Sequence, residues 1–256
     1  MIETKTSSKD QFSKRSKYYA KSSALSDKDN LKLIVDLSNV SKEDKVLDVA
    51  TGTGFLAYEF AKTAKEVIGV DITKEMLVYA EKTKEEEKVE NVTFKIADAE
   101  SLPFRDNFFD IVSCRYSFHH FLNPLKSVEE MSRVCKPYGK IVLVDMISSE
   151  DEEKCKYHNE IETLRDPSHV KVYKESELRE MLSKYNLQVI NAKYWDIDFY
   201  FDVWMRMADP SDETYNKVKK MMLASIEEDK TGLKVRRKEN QILFTYSTII
   251  LIAIKK

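Results

Sequence analysis

Glycine is scarce in this sequence. The 256 residues include only five glycines, whereas an average usage of roughly 7% would give about eighteen. So few positions with easy access to positive φ exclude a collagen-like chain and a flexible low-complexity linker. The shortage also disfavours a small-strand barrel or sandwich, which needs a turn residue roughly every 8–12 positions. Two of the five glycines, Gly52 and Gly54, lie within three residues of each other, which marks a place where the backbone can approach a ligand closely.

Cysteine and long apolar runs are also in short supply. The three cysteines, Cys114, Cys135 and Cys155, are scattered without a CxxC spacing, which disfavours a disulfide framework and predicts no metal site. No segment approaches 18 consecutive apolar residues, and the polar first ten residues lack the apolar stretch of a signal peptide. We therefore expect a cytoplasmic protein with free thiols and no membrane span.

The chain has no excess of charge of either sign. It contains 42 basic and 44 acidic residues, for a formal net charge of −2. This balance lacks the basic character of a protein that binds nucleic acid regardless of sequence, so no nucleic-acid partner is expected. The hydrophobic content of 42% is enough to fill a large core, and the length suits one large domain or two small ones.

Apolar runs of strand type alternate with amphipathic helical segments along the first 150 residues. This alternation predicts a parallel sheet that is buried on both faces and doubly wound by right-handed crossovers. The last strand has no crossover helix after it, so it should pair antiparallel. The predicted strands are 45–50, 66–71, 92–97, 109–116, 140–145, 187–195 and 242–254. The predicted helices are 12–24, 27–39, 56–63, 73–87, 125–135, 150–164, 176–185 and 215–228.

Three successive strand ends carry residues suited to an adenosine-containing ligand. Ligands of open α/β sheets bind beyond the carboxyl ends of the strands. The glycines of VLDVATGTG (46–54) follow the first strand, and Asp71 ends the second, where its carboxylate can accept hydrogen bonds from a ribose diol. Asp98 and the N–H of Ala99 follow the third strand, where they could bind an adenine edge. Each element alone could be a tight turn or a helix-capping acid, but three in order predict a nucleotide site.

The glycine motif by itself does not select the ligand. Gly52-x-Gly54-x-x-Ala57 also satisfies the dinucleotide pattern, so an NAD-dependent oxidoreductase remains an alternative. A non-catalytic adenosine-binding module is a further one. The element after the third strand and the unpaired last strand favour a ligand other than NAD.

These segments resemble the class I S-adenosylmethionine-dependent methyltransferases. Within that superfamily they are similar to the ubiquinone/menaquinone-biosynthesis C-methyltransferases. The resemblance runs through VLDVATGTG, VIGVDIT with KEMLVYA, IADAESLPFRDNFFDIVSCRYSFHHF and VEEMSRVCKPYGKIVLVD, and covers about residues 12–195. It implies a Rossmann-like methyltransferase fold, namely a doubly wound, mostly parallel seven-stranded sheet with helices on both faces and an antiparallel C-terminal strand. In KPYG (136–139), Tyr138 stands where a second glycine is commoner.

The resemblance also assigns roles to particular residues. The cofactor would be S-adenosyl-L-methionine. Its methionine portion would contact the loop after the first strand, where Ala50 replaces a common glycine, and Met76 with Ile72 would pack on adenine. The N-terminal helix with Tyr18 and Tyr19 would close over the site. The full set of expected cofactor-binding residues is Asp48, Ala50, Thr51, Gly52, Gly54, Asp71, Ile72, Met76, Asp98, Ala99, Arg115 and Tyr19.

Methyl transfer is an in-line displacement that needs alignment and, for a weak nucleophile, a base. Candidate bases are His119 and His120, which follow the fourth strand, and His169, in the turn of RDPSHV (165–170). Each could instead be a structural histidine, and His120 and His169 are the two selected as catalytic residues. The aromatic and acidic segment 194–205 could line an acceptor pocket or pack on the sheet. The methionines at 205, 207, 221 and 222 are expected in the core.

The predicted function is methyl transfer to a small-molecule acceptor by one methyltransferase domain, as a monomer or homodimer. Residues 1–40 would form a tail and helical lid, 41–148 the cofactor-binding core, and 149–256 the acceptor-side helices and last two strands. The alternative within the fold is an RNA or protein methyltransferase, which would need a basic face. The one dense basic run, KVRRK at 234–238, is expected to be a solvated loop.

Overall fold

The computed structural model describes residues 11–13, 16 and 26–256. Strands and helices alternate from the first strand to the fifth, except that β4 follows β3 without a helix between them. The helices are α1 (Lys28–Ser38), α2 (Phe55–Ala61), α3 (Lys74–Glu87), α4 (Pro124–Val134), α5 (Glu152–Arg165), α6 (Glu175–Ser183), α7 (Phe201–Arg206) and α8 (Asp212–Glu227). The strands are β1 (Lys45–Val49), β2 (Glu66–Asp71), β3 (Val92–Ile96), β4 (Phe109–Arg115), β5 (Cys135–Ile147), β6 (Leu187–Tyr200), β7 (Arg236–Lys238) and β8 (Gln241–Lys255).

One mixed sheet organises the molecule. Its order is β3-β2-β1-β4-β5-β8-β6, with β7 paired to β8 outside this path. The first five strands are parallel, and β8 is antiparallel to both β5 and β6. The order reverses between β1 and β4, so a crevice opens at the carboxyl ends of these two strands. The doubly wound, mostly parallel fold with its antiparallel C-terminal strand is confirmed.

The sheet of the described chain has eight strands rather than the predicted seven. The additional strand, β7, lies in the basic run that was expected to be a solvated loop, and Arg236–Lys238 pair with Gln241–Leu243 of β8. Residues 149–256 therefore contribute three strands instead of the expected two. A run of charged residues obscures so short a strand because it shows no apolar alternation.

Helices cover both faces of the sheet. On one face, α1, α2 and α3 pack their apolar residues on β1 and β2, as in the contacts of Ile34, Phe60 and Val67. On the other face, α4 and α6 pack on β4, β5 and β8, with Met131 and Leu178 in the cluster. A third cluster joins α5, α7 and α8 to the first half of β8. None of the described helices is both long and apolar enough to cross a membrane.

Two segments differ from the predicted elements in an informative way. Residues 136–139, expected to be a turn, form an irregularity at the start of β5, because β4 pairs Phe109 with Cys135 and then Ile111 with Lys140. A Cβ at Gly139 would lie 2.8 Å from the Asp110 carbonyl oxygen, so the close approach of β4 requires glycine there. In addition, β6 continues to Tyr200 instead of ending at residue 195, and α7 follows directly.

Candidate functional site

A cavity of about 630 Å³ lies at the carboxyl ends of β1, β2 and β4. This volume falls in the range that proteins use to enclose small ligands. Twelve of the expected site residues lie in its wall: Asp48, Ala50, Thr51, Gly52, Asp71, Ile72, Met76, Asp98, Ala99, Arg115, His120 and His169. The structure thus brings together residues separated by more than a hundred positions in sequence.

The loop after β1 is held in place by the acid at the end of β2. Asp71 accepts hydrogen bonds from the backbone N–H of Gly52 at 2.9 Å and of Thr73 at 2.8 Å. The N–H of Thr51 donates to the Val70 carbonyl at 2.9 Å. Burial raises the pKa of Asp71, although these backbone donors oppose the shift. These bonds fix the orientation of the carboxylate, which lines the cavity.

Asp48 lies beneath this loop and is almost fully buried. It accepts hydrogen bonds from the hydroxyls of Thr51 and Ser113, each at 2.7 Å. Burial raises the pKa of Asp48 to about 6, against the opposing effects of both hydroxyls and of Arg115. A carboxyl group with this pKa changes charge close to neutral pH, which makes it sensitive to a cation placed in the cavity.

The two glycines of the loop have different roles. Gly52 lies in the wall with φ of +57°, and a Cβ there would meet no atom within 4 Å, so the space beside it is open. Gly54 is absent from the wall. It precedes α2 with φ of +86°, and a Cβ there would lie 2.9 Å from the rings of Phe94 and Tyr58. Glycine is therefore needed at position 54 because a side chain would clash with these two rings.

The remaining strand ends complete the first half of the cavity. The Asp98 carboxylate accepts a hydrogen bond from the N–H of Glu100 at 2.9 Å, which shapes the turn after β3. Arg115, at the end of β4, lies with its guanidinium 4.7 Å from the centre of the Tyr116 ring. Burial lowers the pKa of Arg115 from its usual high value.

Three histidines meet on the opposite side of the cavity. The rings of His119 and His120 are 4.2 Å apart, and the ring of His169 is 5.8 Å from His119 and 6.2 Å from His120. The turn 168–171 is attached to the short 3₁₀ turn Phe118–His120, because the N–H groups of Val170 and Lys171 both donate to the His119 carbonyl. The distant RDPSHV segment therefore reaches the residues after β4.

Each of the three imidazoles is bound to the protein through one nitrogen. Nδ1 of His119 donates to the Asp145 carboxylate at 2.7 Å, and Nδ1 of His120 donates to the Ser168 carbonyl at 3.0 Å. Nε2 of His169 lies 3.1 Å from Oδ1 of Asn159. In each neutral ring the other nitrogen is then an acceptor.

The three histidines have different affinities for a proton. Burial, together with the neighbouring His119, lowers the pKa of His120 to about 3. Burial likewise lowers the pKa of His169 to about 4, against the attraction of Glu162. Burial also disfavours the charged form of His119, but Asp145 outweighs it and the pKa of His119 is raised. At neutral pH, His120 and His169 are neutral bases.

Aromatic side chains line the part of the cavity that is predicted to hold the methyl acceptor. Residues from the end of β6 through α7 line it together with two residues of β8: Ile197, Asp198, Phe199, Tyr200, Val203, Trp204, Tyr246 and Thr248. Segment 194–205 therefore packs in the core through Phe201 and Met205 while several of its other residues line the cavity; that the cavity holds an acceptor there stays a prediction. Met207, expected in the core, also lies in the wall.

The lid prediction falls largely on residues that the structure does not describe. Tyr18 and Tyr19 lie outside the described residues. Phe12 is described; it lines the cavity, and its ring meets that of His120 edge-on at 4.9 Å. The helix that follows, α1, packs on the core through Leu31 and Ile34.

Sequence reasoning missed several residues of the site. Asp145, the partner of His119, ends the predicted strand 140–145, so the rule used for Asp71 would have found it. Glu162 and Arg165 of α5 and Asn159, which also contacts the turn of His169, carried no such signal. They sit in a helix whose placement over the cavity depends on contacts distant in sequence. Among the described residues, no group of three or more His, Cys, Asp or Glu is arranged to hold a metal ion.

A family model described as a methyltransferase domain matches residues 40–221. YcgJ of Bacillus subtilis, an uncharacterised methyltransferase, is 35% identical over 247 residues, which is 96% of this chain and 98% of the relative. The chain belongs to the methyltransferase-domain family. The crystal structure of YcgJ superposes on this methyltransferase with a TM-score of 0.83 at 34% identity, covering 88% of this chain and 97% of that one.

Two further relatives match this chain with different identity and coverage. A crystal structure from Bacillus halodurans matches this methyltransferase with a TM-score of 0.84 at 29% identity, over 89% of this chain and 99% of the other. The ubiquinone/menaquinone biosynthesis C-methyltransferase UbiE of Bdellovibrio bacteriovorus is 40% identical over 116 residues, 44% of this chain and 49% of its own length. The expected resemblance to this subgroup is confirmed, and the family favours methyl transfer over NAD-dependent oxidation.

Proposed function

We propose that this methyltransferase uses S-adenosyl-L-methionine to methylate a small, largely apolar molecule. The observation that carries the proposal is the cavity with two unlike halves. One half consists of the strand-end residues that the family resemblance assigns to the cofactor. The other half consists of neutral histidines and aromatic side chains.

The first half suits the cofactor on its own geometry. The open space beside Gly52 leaves room for a ligand to approach the backbone of the loop. Carboxylates outnumber cationic groups in the wall, which favours a ligand that carries positive charge. The carboxylates are Asp48, Asp71, Asp98, Glu100, Glu162, Asp166 and Asp198, and the cationic residues are Arg115 and Arg165.

The bound cofactor would supply an electrophilic methyl group on a sulfonium. Asp71 would accept hydrogen bonds from its ribose, and Ile72 with Met76 would pack on the adenine. Ala50, Thr51, Gly52 and Asp48 would surround its methionine end, with Arg115 nearby, while Asp98 and Ala99 would bind the adenine edge. Gly54 would support this loop from behind. Tyr19 stays a proposed lid residue.

The acceptor half would align the second substrate and exclude water from it. His120 and His169 are the proposed bases, because both are neutral at pH 7 and both line the cavity. An apolar wall strengthens the electrostatic effect of these few polar groups. Alignment alone lowers the barrier by several kcal/mol, so an acidic acceptor would need the histidines less than a weak nucleophile.

A small molecule fits this methyltransferase better than RNA or protein. The basic run at 234–238 is partly neutralised, because Lys234 pairs with Asp196 and Arg236 with Asp198, both at 2.7 Å. Two of its charges are therefore engaged within the molecule instead of forming a face for phosphates. RNA or protein methylation remains the alternative within the fold.

Isothermal titration with S-adenosylhomocysteine, the demethylated product, tests the cofactor. We expect micromolar binding of this product, with NAD giving no heat. Binding of NAD without binding of the product would overturn the proposal.

Asp71→Ala tests the placement of the cofactor. The variant removes a charged acceptor, so the affinity for S-adenosylhomocysteine should fall roughly tenfold or more. Asp44→Ala is the matched control, since Asp44 also receives a backbone N–H, from Ser41 at 2.7 Å, but at the opposite end of β1. Equal affinities in the two variants would mean that the ribose lies elsewhere.

A further inference from the structure

The side chain of Asn159, in α5, has a fixed orientation. Its Nδ2 donates to the carbonyl oxygens of Cys155 at 2.9 Å and Val172 at 3.1 Å. Its Oδ1 accepts from the N–H of Val172 at 2.7 Å. Two carbonyls and one N–H thus distinguish the oxygen of the amide from its nitrogen. The atom that Asn159 presents to His169 is therefore an acceptor.

This orientation selects one tautomer of His169. Nε2 of His169, 3.1 Å from Oδ1 of Asn159, must carry the proton in order to make a hydrogen bond. In the neutral ring, Nδ1 is then left with its lone pair. Within the described part of the chain no group donates to Nδ1, and this atom is not sealed from solvent. Since the ring lines the cavity, Nδ1 is an acceptor available there.

We infer that Asn159 is a positioning residue that holds His169 as the Nε2–H tautomer, so that Nδ1 accepts a hydrogen bond from an O–H or N–H of the methyl acceptor. The inference deepens the proposed function and relies on it for the identity of the ligand as the acceptor. It names the acceptor class: a molecule with a ring-like apolar body, suited to the aromatic wall, that carries a protic group.

Burial keeps His169 neutral, against the attraction of the Glu162 charge. Burial is the largest influence and lowers its pKa, and an amide partner adds no negative charge to oppose it. A carboxylate at position 159 would favour the imidazolium instead. The other titratable and charged groups near the ring are Glu162, His158 and Arg165 of α5, His119 and His120 after β4, and Asp166.

Nuclear magnetic resonance of ¹⁵N-histidine protein tests the tautomer without any cofactor. The signals of His169 are identified by their loss in His169→Gln. We expect a neutral Nε2–H ring at pH 7 in the unaltered protein. In Asn159→Asp, the pKa of His169 should rise by roughly one unit or more. In Asn159→Ala, the two tautomers should mix.

A matched control separates positioning from general loss of structure. Asn91 also donates its Nδ2 to two backbone carbonyls, those of Ala61 and Ala64, far from the cavity. Asn91→Asp should leave the pKa and tautomer of His169 unchanged. An Nδ1–H tautomer in the unaltered protein, or an unchanged pKa in folded Asn159→Asp, would overturn the inference about Asn159.

Two small probes test the acceptor class. Phenol offers an O–H on an apolar ring, and anisole offers the same ring without a donor. In the presence of S-adenosylhomocysteine, phenol should shift the Nδ1 resonance of His169 and anisole should not. Equal shifts, or none with phenol, would overturn the inference about the acceptor, while absence of S-adenosylhomocysteine binding would count against the proposed function alone.

Discussion

Tyr138 adopts a backbone conformation that is unfavourable for a bulky residue. Its φ is +63°, in the left-handed region, and its side chain is 79% exposed. The left-handed conformation costs an L-residue roughly 1–2 kcal/mol, and glycine avoids this cost. The same position stands out in the motif KPYG (136–139), because the family resemblance implies that a second glycine is commoner there. The exposed ring offers little packing in return.

Tyr138→Gly should therefore stabilise the protein. Relief of the backbone strain exceeds the added entropy of the unfolded chain, so we expect the free energy of unfolding to rise by about 0.5–1 kcal/mol. Urea unfolding measures the change. Tyr194→Gly is the control, because Tyr194 is also exposed but lies within β6, where glycine should destabilise. A loss of stability in both variants would contradict this account of Tyr138.

Asp48 should make stability fall as the pH rises. Burial raises its pKa in the folded protein from 3.8 to about 6. Between these values the folded state binds more protons than the unfolded state, so the free energy of unfolding decreases with increasing pH. A difference of roughly two pH units corresponds to about 3 kcal/mol.

Asp48→Asn should remove this contribution. Compared with the unaltered protein, the variant should gain stability progressively from pH 4 to pH 6, as measured by urea unfolding at several pH values. Asp209→Asn, at an exposed position, is the control and should follow the unaltered protein. A constant difference between Asp48→Asn and the unaltered protein across this range would show that the carboxyl does not titrate there.

At the scale of elements, α5 is attached to the rest of the molecule by a buried charged group. The Glu162 carboxylate accepts from the Tyr246 hydroxyl of β8 and lies 3.5 Å from the Arg165 guanidinium and 3.6 Å from the His158 ring. Burial opposes ionisation, but these partners outweigh it and lower the pKa of Glu162. The helix that carries Asn159 over the cavity therefore depends on an ionised glutamate.

Glu162→Gln should destabilise the protein by about 3 kcal/mol, because it removes the buried anion that lies beside Arg165 and His158. The pKa of Glu162 is lowered in the folded state, so its stabilisation is present above pH 4.5 and is lost as the pH falls further. The difference between the variant and the unaltered protein should shrink accordingly in urea unfolding at low pH. Glu160→Gln, exposed on the same helix, should change stability by less than about 0.5 kcal/mol.

The elements predicted best are those whose burial is visible in the local hydrophobic pattern. The parallel strands β1 and β2 are buried on both faces and read as continuous apolar runs. The end of β6 was missed although Asp196 and Asp198 alternate with apolar residues, a pattern that predicts a half-buried strand. The charged strand β7 is recognisable only through its partner β8, and pairing partners are not visible in local pattern.

The residues of the site also fall into those that could be predicted from the sequence and those that could not. In the half proposed for the cofactor, Asp71 and Asp98 could be predicted from the topological rule that places strand ends together, whereas Asp48 was implied by the family resemblance. The acceptor half depends on where α5 and the turn of His169 pack, which no spacing encodes. His120 and His169 were reachable as candidates, whereas Asn159, whose effect is exerted through His169, was not.

At the scale of the whole molecule, β8 joins the two halves. It pairs with β5 from Lys140 to Ile147 and with β6 over nearly its whole length. The cavity receives side chains from both halves, so a ligand should stabilise the molecule as a unit. We expect one cooperative thermal transition. Saturation with S-adenosylhomocysteine at about one hundred times its dissociation constant should raise the midpoint by roughly 5–10 °C.

Calorimetry with and without S-adenosylhomocysteine measures this shift, and NAD at the same concentration is the control. Two transitions, of which only one moves with the ligand, would show that the halves unfold independently and that β8 does not couple them.

The three buried cysteines can report which part of the molecule opens to solvent first. Cys114 lies in β4 between the two halves of the sheet, Cys135 at the start of β5, and Cys155 in α5 over the cavity. Burial raises the pKa of Cys114 and Cys135, so neither forms a thiolate readily while enclosed. Brief alkylation followed by peptide mass mapping would therefore time the exposure of each position separately. Labelling of Cys155 ahead of Cys114 would identify the release of the helical cover as a motion distinct from the separation of the strands.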